Sequence, residues 1–286
     1  TLSSLILASL GFPVLKHGSY SNTSAMGSTE TIEIFGAKTE MYSVDEIQQI
    51  WKQNRYCFLD AHLCKTIHDL SHLLMMETIN HVVGPMSVPI TPKTVLHKIM
   101  GVNEKIHPSL IVRAYNILHA REIQNMGGII VVGGMDPSPS SILEDERRFQ
   151  GHCVLDELSP YFSVVAMGCR DKYFGTFLIQ PSDFGIRLNP ESIKVENRAG
   201  AIQQANIQAL RGEDQSLTDY LAMNAALGVF MRKYISQRDA LDYDKMKISL
   251  YYLQASFQEC RQAIVSGKAW ETLQGYVRAS GGSFST

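Results

Sequence analysis

An α/β fold is what this sequence predicts: a largely parallel sheet flanked by helices, with a small helical part. Three observations carry the prediction. Short apolar runs alternate with segments of helical spacing through residues 1–200, the pattern of β/α units around a sheet. From Ala199 to Gln274 the apolar spacing turns wholly helical. The chain has 286 residues, 45% hydrophobic and 19% charged, enough apolar material for a large core and too much for disorder.

Taken in order, Leu2–Leu10 is read as a helix and Pro13–Lys16 as a strand. Helices follow at Ser28–Phe35 and Ser43–Lys52, a strand at Tyr56–Leu59 and a helix at Leu63–Leu74. Strands are next expected at Val95–Met100 and Ile129–Val132, on either side of a helix Pro108–Ile123. Its leading proline occupies a first-turn position, where a missing N–H leaves no hydrogen bond unmade. Ser163–Gly168 and Tyr173–Ile179 flank the short polar loop Cys169–Lys172 and read as an antiparallel hairpin. The late helices are placed at Leu217–Tyr234 and Asp239–Ser266, with Gly212 and Gly267 as stops. Residues 1–200 thus form an α/β body, 136–153 a polar, Pro-Ser-rich surface insertion, and 201–286 helices packing on the body.

Charge and cysteine content bound the partners. A net charge of -2 gives no global reason to bind a polyanion or an acidic membrane, so any phosphate affinity must be local. Cys57, Cys64, Cys153, Cys169 and Cys260 are odd in number and form no C-x-x-C pair, which fits a reducing cytoplasm and no disulfide framework. No apolar run reaches the about 18 residues that a membrane span needs.

Chemistry concentrates in three places. Val14-Leu15-Lys16-His17-Gly18-Ser19 followed by Ser24-Ala25-Met26-Gly27-Ser28-Thr29-Glu30 reads as a strand breaking into a small-residue loop that feeds a helix. That arrangement can present backbone N–H groups to an anion, or can simply serve turn geometry and capping. Asp156-Glu157, before Leu158-Ser159-Pro160, offers adjacent carboxylates suited to Mg²⁺, or is solvated surface near a turn. Gly84-Pro85 either leaves backbone open to a substrate or only stops a helix. His62, His68, His72 and His81 lack the H-E-x-x-H pattern and are read as core-edge residues. Nucleophile-elbow, Walker and dinucleotide fingerprints are all missing, so hydrolase, ATPase and dinucleotide readings have no support.

In order, these pieces resemble the anthranilate phosphoribosyltransferase family, specifically a divergent branch of it, whose fold is shared with pyrimidine nucleoside phosphorylases. The resemblance runs nearly end to end: Lys16-His17-Gly18, Gly27-Ser28, Gly84-Pro85, Met100-Gly101-Val102, Asp156-Glu157-Leu158-Ser159-Pro160, Asp183-Phe184-Gly185 and Asn224-Ala225-Ala226. It implies a phosphoribosyl transfer, known in tryptophan biosynthesis, in which an acceptor displaces diphosphate from the ribose C1 of 5-phosphoribosyl 1-diphosphate. It also implies that Lys16, His17, Gly18, Ser19, Gly27, Ser28, Gly84 and Pro85 contact that small-molecule donor, and that Asp156 and Glu157 hold Mg²⁺. No catalytic residue is assigned, and a homodimer is among the assemblies that the resemblance allows.

Departures from the family pattern shape the functional expectation. The family's glycine-rich diphosphate loop and first helices are expected upstream of Thr1, which makes the chain N-terminally truncated relative to the family. Ser19 stands for the Asn of Lys-His-Gly-Asn, Ala25-Met26 for Lys-Ser, and the acceptor-binding Arg aligns near Ser71, where a serine cannot form a bidentate pair with a carboxylate. His81 and Val88 replace two asparagines. An acceptor other than anthranilate is therefore expected. The alternatives are anthranilate itself, a nucleoside phosphorylase, and a non-catalytic protein binding a ligand or nucleic acid on the same fold, the last disfavoured by the acidic balance.

Overall fold

The computed structural model describes residues 1–20, 25–39, 43–60, 84–86, 93–137, 152–242 and 247–284. The expected helix at Leu63–Leu74, the acceptor position Ser71, the residues His81 and Val88, and most of the 136–153 insertion lie outside these residues. The chain divides into two compact units, each assembled from separate stretches. The first comprises Thr1–Pro89, Lys194–Leu221 and Arg261–Thr286; the second comprises Ile90–Ile193 and Ala222–Cys260.

In the first unit, α1 (Leu2–Ser9) buries Leu2, Leu5, Ile6 and Ala8. It leads to β1 (Val14–Gly18), which pairs in parallel with β2 (Tyr56–Asp60), Lys16 opposite Phe58 and Gly18 opposite Asp60. Between them lie α2 (Ser28–Glu33) and α3 (Val44–Asn54). Helix α3 starts where Ser43 caps it: the Ser43 Oγ accepts from the Glu46 N–H at 3.3 Å, and the Glu46 carboxylate accepts from the Ser43 N–H at 2.7 Å. This reciprocal capping box satisfies two amides that would otherwise lack partners. Helix α5 (Ala199–Arg211) and α8 (Lys268–Ala279) complete the unit, and Gly212 closes α5 in the left-handed region at φ 73°. Tyr56 meets Tyr276 edge to face at 4.8 Å, anchoring β2 to α8.

The second unit is built on a five-stranded sheet. β3 (Leu96–Gly101) pairs in parallel with β4 (Met126–Met135), after the crossover helix α4 (Pro108–Ala120). Pro108 sits in the first turn of α4, as expected. β4 is buried along its whole length, which is why Met126–Met135 reads as a continuous run of apolar and glycine residues. Its other neighbours are antiparallel: β5 (Cys153–Leu155) at its C-terminal end, and the hairpin β6 (Phe162–Cys169) and β7 (Lys172–Ile179). The α/β architecture with parallel elements flanked by helices is as expected; β1–β2 is a separate parallel pair, and the five-stranded sheet is mixed, parallel only at β3–β4 and antiparallel at β4–β5, β4–β6 and β6–β7.

Helix α6 (Gln215–Lys233) follows the predicted span closely. The expected helix Asp239–Ser266 needs correction. Its first part is a small antiparallel ribbon, β8 (Leu241–Asp242) with β9 (Lys247–Ile248), and helix α7 starts only at Leu250 and ends at Val265. The Ser249 N–H donates to the Ala240 carbonyl at 2.9 Å and closes the ribbon, so those backbone groups are paired without a helix.

Candidate functional site

The first group of candidate residues lies entirely in the first unit and forms around the end of β1. A Cβ on Gly18 would fall 2.5 Å from the Ser28 Cβ and 2.9 Å from the Phe58 ring, so only glycine allows the strand to pass this close to α2. Gly18 and Ser28, ten residues apart in sequence, are thereby brought into contact. The Thr29 N–H donates to the Ser19 carbonyl at 3.1 Å and holds the two sides together. Beneath them lies Asp60, 7% exposed and across from Gly18 in the strand register; it accepts a hydrogen bond from the Thr29 hydroxyl.

Several donors of this loop already have partners within the chain. The Gly27 N–H donates to the Glu30 carboxylate, and the Lys16 ammonium folds back onto the His17 carbonyl. The Tyr20 hydroxyl donates to Glu33 at 2.8 Å, and this bond, with partial burial, pushes its pKa up to about 12. The Ala25 N–H donates to the Asn197 Oδ1 at 2.9 Å. The loop is thus a self-satisfied polar network as well as a meeting point of small residues. Farther along, Gly84 is half-buried and Pro85 exposed, and a Cβ on Gly84 would meet no described atom within 4 Å.

The second group lies in the second unit. Asp156 and Glu157 are exposed, yet their backbone is wedged against strand ends. A Cβ on Gly101, the last residue of β3, would lie 1.6 Å from the Asp156 carbonyl oxygen; one on Gly134, near the end of β4, would lie 2.3 Å from the Glu157 carbonyl oxygen. Two glycines therefore admit the loop over the C-terminal ends of two parallel strands, where ligands of open α/β sheets bind. The loop is fixed further by the Leu158 N–H, which donates to the Asn224 Oδ1 at 2.8 Å, and by Ser159, whose hydroxyl donates to the Met135 carbonyl at 2.6 Å. The result is a rigid backbone carrying two outward carboxylates.

That donor set suits Mg²⁺, which takes one or two carboxylates and keeps the remaining shell for water and phosphate oxygens. Among the described residues, no group of three or more His, Cys, Asp or Glu side chains could hold a metal ion by itself. A Zn²⁺ site of protein ligands alone finds no such group there.

Sequence reasoning assigned no role to Gly101, Gly134, Asn224, Thr29 or Asp60. The signals existed: glycines ending two apolar strands, and a lone acidic residue closing the apolar run Tyr56–Leu59. The Asp183-Phe184-Gly185 motif forms a 3₁₀ turn (Pro181–Phe184) closed by Gly185 at φ 79°. Burial raises the Asp183 pKa, while its carboxylate accepts from the Gln180 N–H at 2.8 Å.

With this geometry in hand, comparison with known proteins gives the chain a family context. Residues 1–140 match the family model described as "Glycosyl transferase family, a/b domain". The anthranilate phosphoribosyltransferase of Pelagibacter ubique is 25% identical over 282 residues, covering 96% of this chain and 72% of that protein; that of Aquifex aeolicus is 24% identical over 288 residues, covering 98% and 71%. Over nearly its whole length the chain is similar to anthranilate phosphoribosyltransferases. Solved structures agree at the level of fold. The Saccharomyces cerevisiae anthranilate phosphoribosyltransferase in complex with PRPP and Mg aligns with a TM-score of 0.67 at 20% identity, over 98% of this chain and 69% of its own. The Thermus thermophilus enzyme aligns with a TM-score of 0.68 at 19% identity, over 98% and 72%. Among the described residues, no helix is long and apolar enough to cross a membrane.

Proposed function

We propose that this chain binds 5-phosphoribosyl 1-diphosphate with Mg²⁺ and transfers the phosphoribosyl group to an acceptor other than anthranilate. The observation that carries the reading is the Asp156–Glu157 loop, a backbone seated on Gly101 and Gly134 with both side chains exposed. Asp156 and Glu157 would hold Mg²⁺, which when bound neutralises charge on a leaving diphosphate. Lys16, His17, Gly18, Ser19, Gly27 and Ser28 would contact the donor's phosphates, with the Lys16 ammonium leaving the His17 carbonyl to do so. Gly84 and Pro85 would offer backbone to the ligand. Little covalent chemistry is then asked of the side chains, and positioning supplies much of the rate.

Calorimetry with 5-phosphoribosyl 1-diphosphate tests this directly. Heat that requires Mg²⁺ is expected; no heat at millimolar ligand would overturn the proposal. One observation favours a second reading, binding without turnover: the Gly27 and Thr29 N–H groups are already held by Glu30 and Ser19, leaving fewer donors for a developing charge. Release of diphosphate from the bound donor in the presence of candidate amines separates the two.

A further inference from the structure

Within the first unit, a segment far from the candidate loop in sequence closes over the end of the helix that carries it. Helix α2 ends in a Schellman turn: the Ala37 N–H donates to the Ile32 carbonyl at 3.3 Å and the Gly36 N–H to the Glu33 carbonyl at 2.7 Å. Gly36, at φ 90°, supplies the left-handed residue this turn requires. The same glycine is needed a second time, because a Cβ there would lie 1.8 Å from the Ser283 carbonyl oxygen. The contact is reciprocal: a Cβ on Gly282 would lie 2.0 Å from the Gly36 carbonyl oxygen. Two backbones are thus laid against each other at a pair of glycines.

Side chains lock the crossing on both flanks. Phe284 stacks on the fully buried Phe35 with ring centroids 6.4 Å apart and meets Trp270 edge-on at 5.3 Å. Phe35 and Trp270 close the triangle at 6.1 Å, and the Arg211 guanidinium lies 4.3 Å over the Trp270 ring. On the other side, the buried Ser280 hydroxyl oxygen accepts from the Lys38 N–H at 3.0 Å.

We propose that Ser280–Phe284 is a positioning strap for the candidate phosphate loop, holding α2 so that Ser28 stays seated on Gly18. Helix α2 has only six residues, too few to hold a fixed position by its own hydrogen bonds. Its register must come from tertiary contacts at its ends. At its start these are Gly18, Ser19 and Asp60; at its end they are Phe284, Ser283 and Ser280. Phe284 and Ser280 act through α2 and touch no ligand. The choice of ligand rests on the function proposed above; the mechanical claim does not.

Amide hydrogen exchange and donor calorimetry on F284A, F284Y and S280A test the strap. In F284A, exchange at the Thr29 and Thr31 amides is expected to rise about fivefold or more, with Ile129–Val132 of β4 unchanged, and affinity for 5-phosphoribosyl 1-diphosphate with Mg²⁺ to fall by about the same factor. F284Y keeps the aromatic contacts and should restore both readouts, while S280A gives a smaller change in the same direction. Unchanged exchange at Thr29 and Thr31 in F284A, or a uniform rise across both units, would overturn the strap. Should F284A fail to fold, S280A carries the same two outcomes. A wild-type protein that binds no donor would sink the functional reading alone, since the exchange comparison needs no ligand.

Discussion

The loop around Gly18 and the loop around Asp156 are both shaped by glycine, but what each glycine faces differs. Gly18 faces side chains, the Ser28 Cβ and the Phe58 ring, whereas Gly101 and Gly134 face backbone carbonyl oxygens of Asp156 and Glu157. A side chain can shift by a few tenths of an ångström; a backbone carbonyl at the end of a strand moves only with its loop. The first loop is accordingly held by a network of hydroxyl and carboxylate partners. The second is held by that backbone fit together with the hydrogen bonds to Asn224 and from Ser159, and its two carboxylate side chains are exposed.

The substitution with the largest expected effect breaks the second arrangement. Gly101→Ala must displace the Asp156 carbonyl and should cost about 3 kcal/mol in a denaturant titration, the upper end of ordinary overpacking. Next comes the first loop: Thr29→Val removes the hydroxyl that donates to the buried Asp60 carboxylate and should cost about 2 kcal/mol, in the range of hydrogen bonds to charged groups. Asn224→Ala deprives the Leu158 N–H of its partner and should cost about 1 kcal/mol, with a parallel loss of any Mg²⁺-dependent binding.

The two units should also part company in acid. His97 in the second unit accepts from the Gly128 N–H at 2.9 Å and lies beside the Arg232 guanidinium; burial first, and that cation second, hold its pKa down to about 4. Because the folded value lies below the ordinary histidine value of 6.5, the unfolded chain takes up the proton first. The stabilisation is complete above pH 6.5 and declines as pH falls toward 4. His97→Gln should flatten that decline in a melting series; an unchanged slope would assign the acid sensitivity to other groups.

Much of the fold was legible in the sequence, for reasons that particular residues make plain. Ser43, Pro108, Gly212 and Gly267 are local signals, and each marks a boundary where it was read. The β8–β9 ribbon was not legible, since Asp239–Ser266 contains neither glycine nor proline and its apolar spacing also suits a helix. Strand β5 is only three residues long and exists by pairing with the end of β4, a tertiary fact. The candidate residues were found by motif, and their supports were missed because support is spatial. Gly134 matters through a carbonyl 23 positions later, and Phe284 through a ring 249 positions earlier.

Asp156→Asn with Glu157→Gln gives the smallest change in stability, within about 0.5 kcal/mol for exposed side chains, and the most specific change in binding. The decisive measurement is the affinity for 5-phosphoribosyl 1-diphosphate with and without Mg²⁺, in the wild type and in this double variant. The wild type should bind more tightly with Mg²⁺, and the variant should lose that difference while melting at the wild-type temperature. Equal Mg²⁺ dependence in both proteins would contradict the assignment of the metal to Asp156 and Glu157.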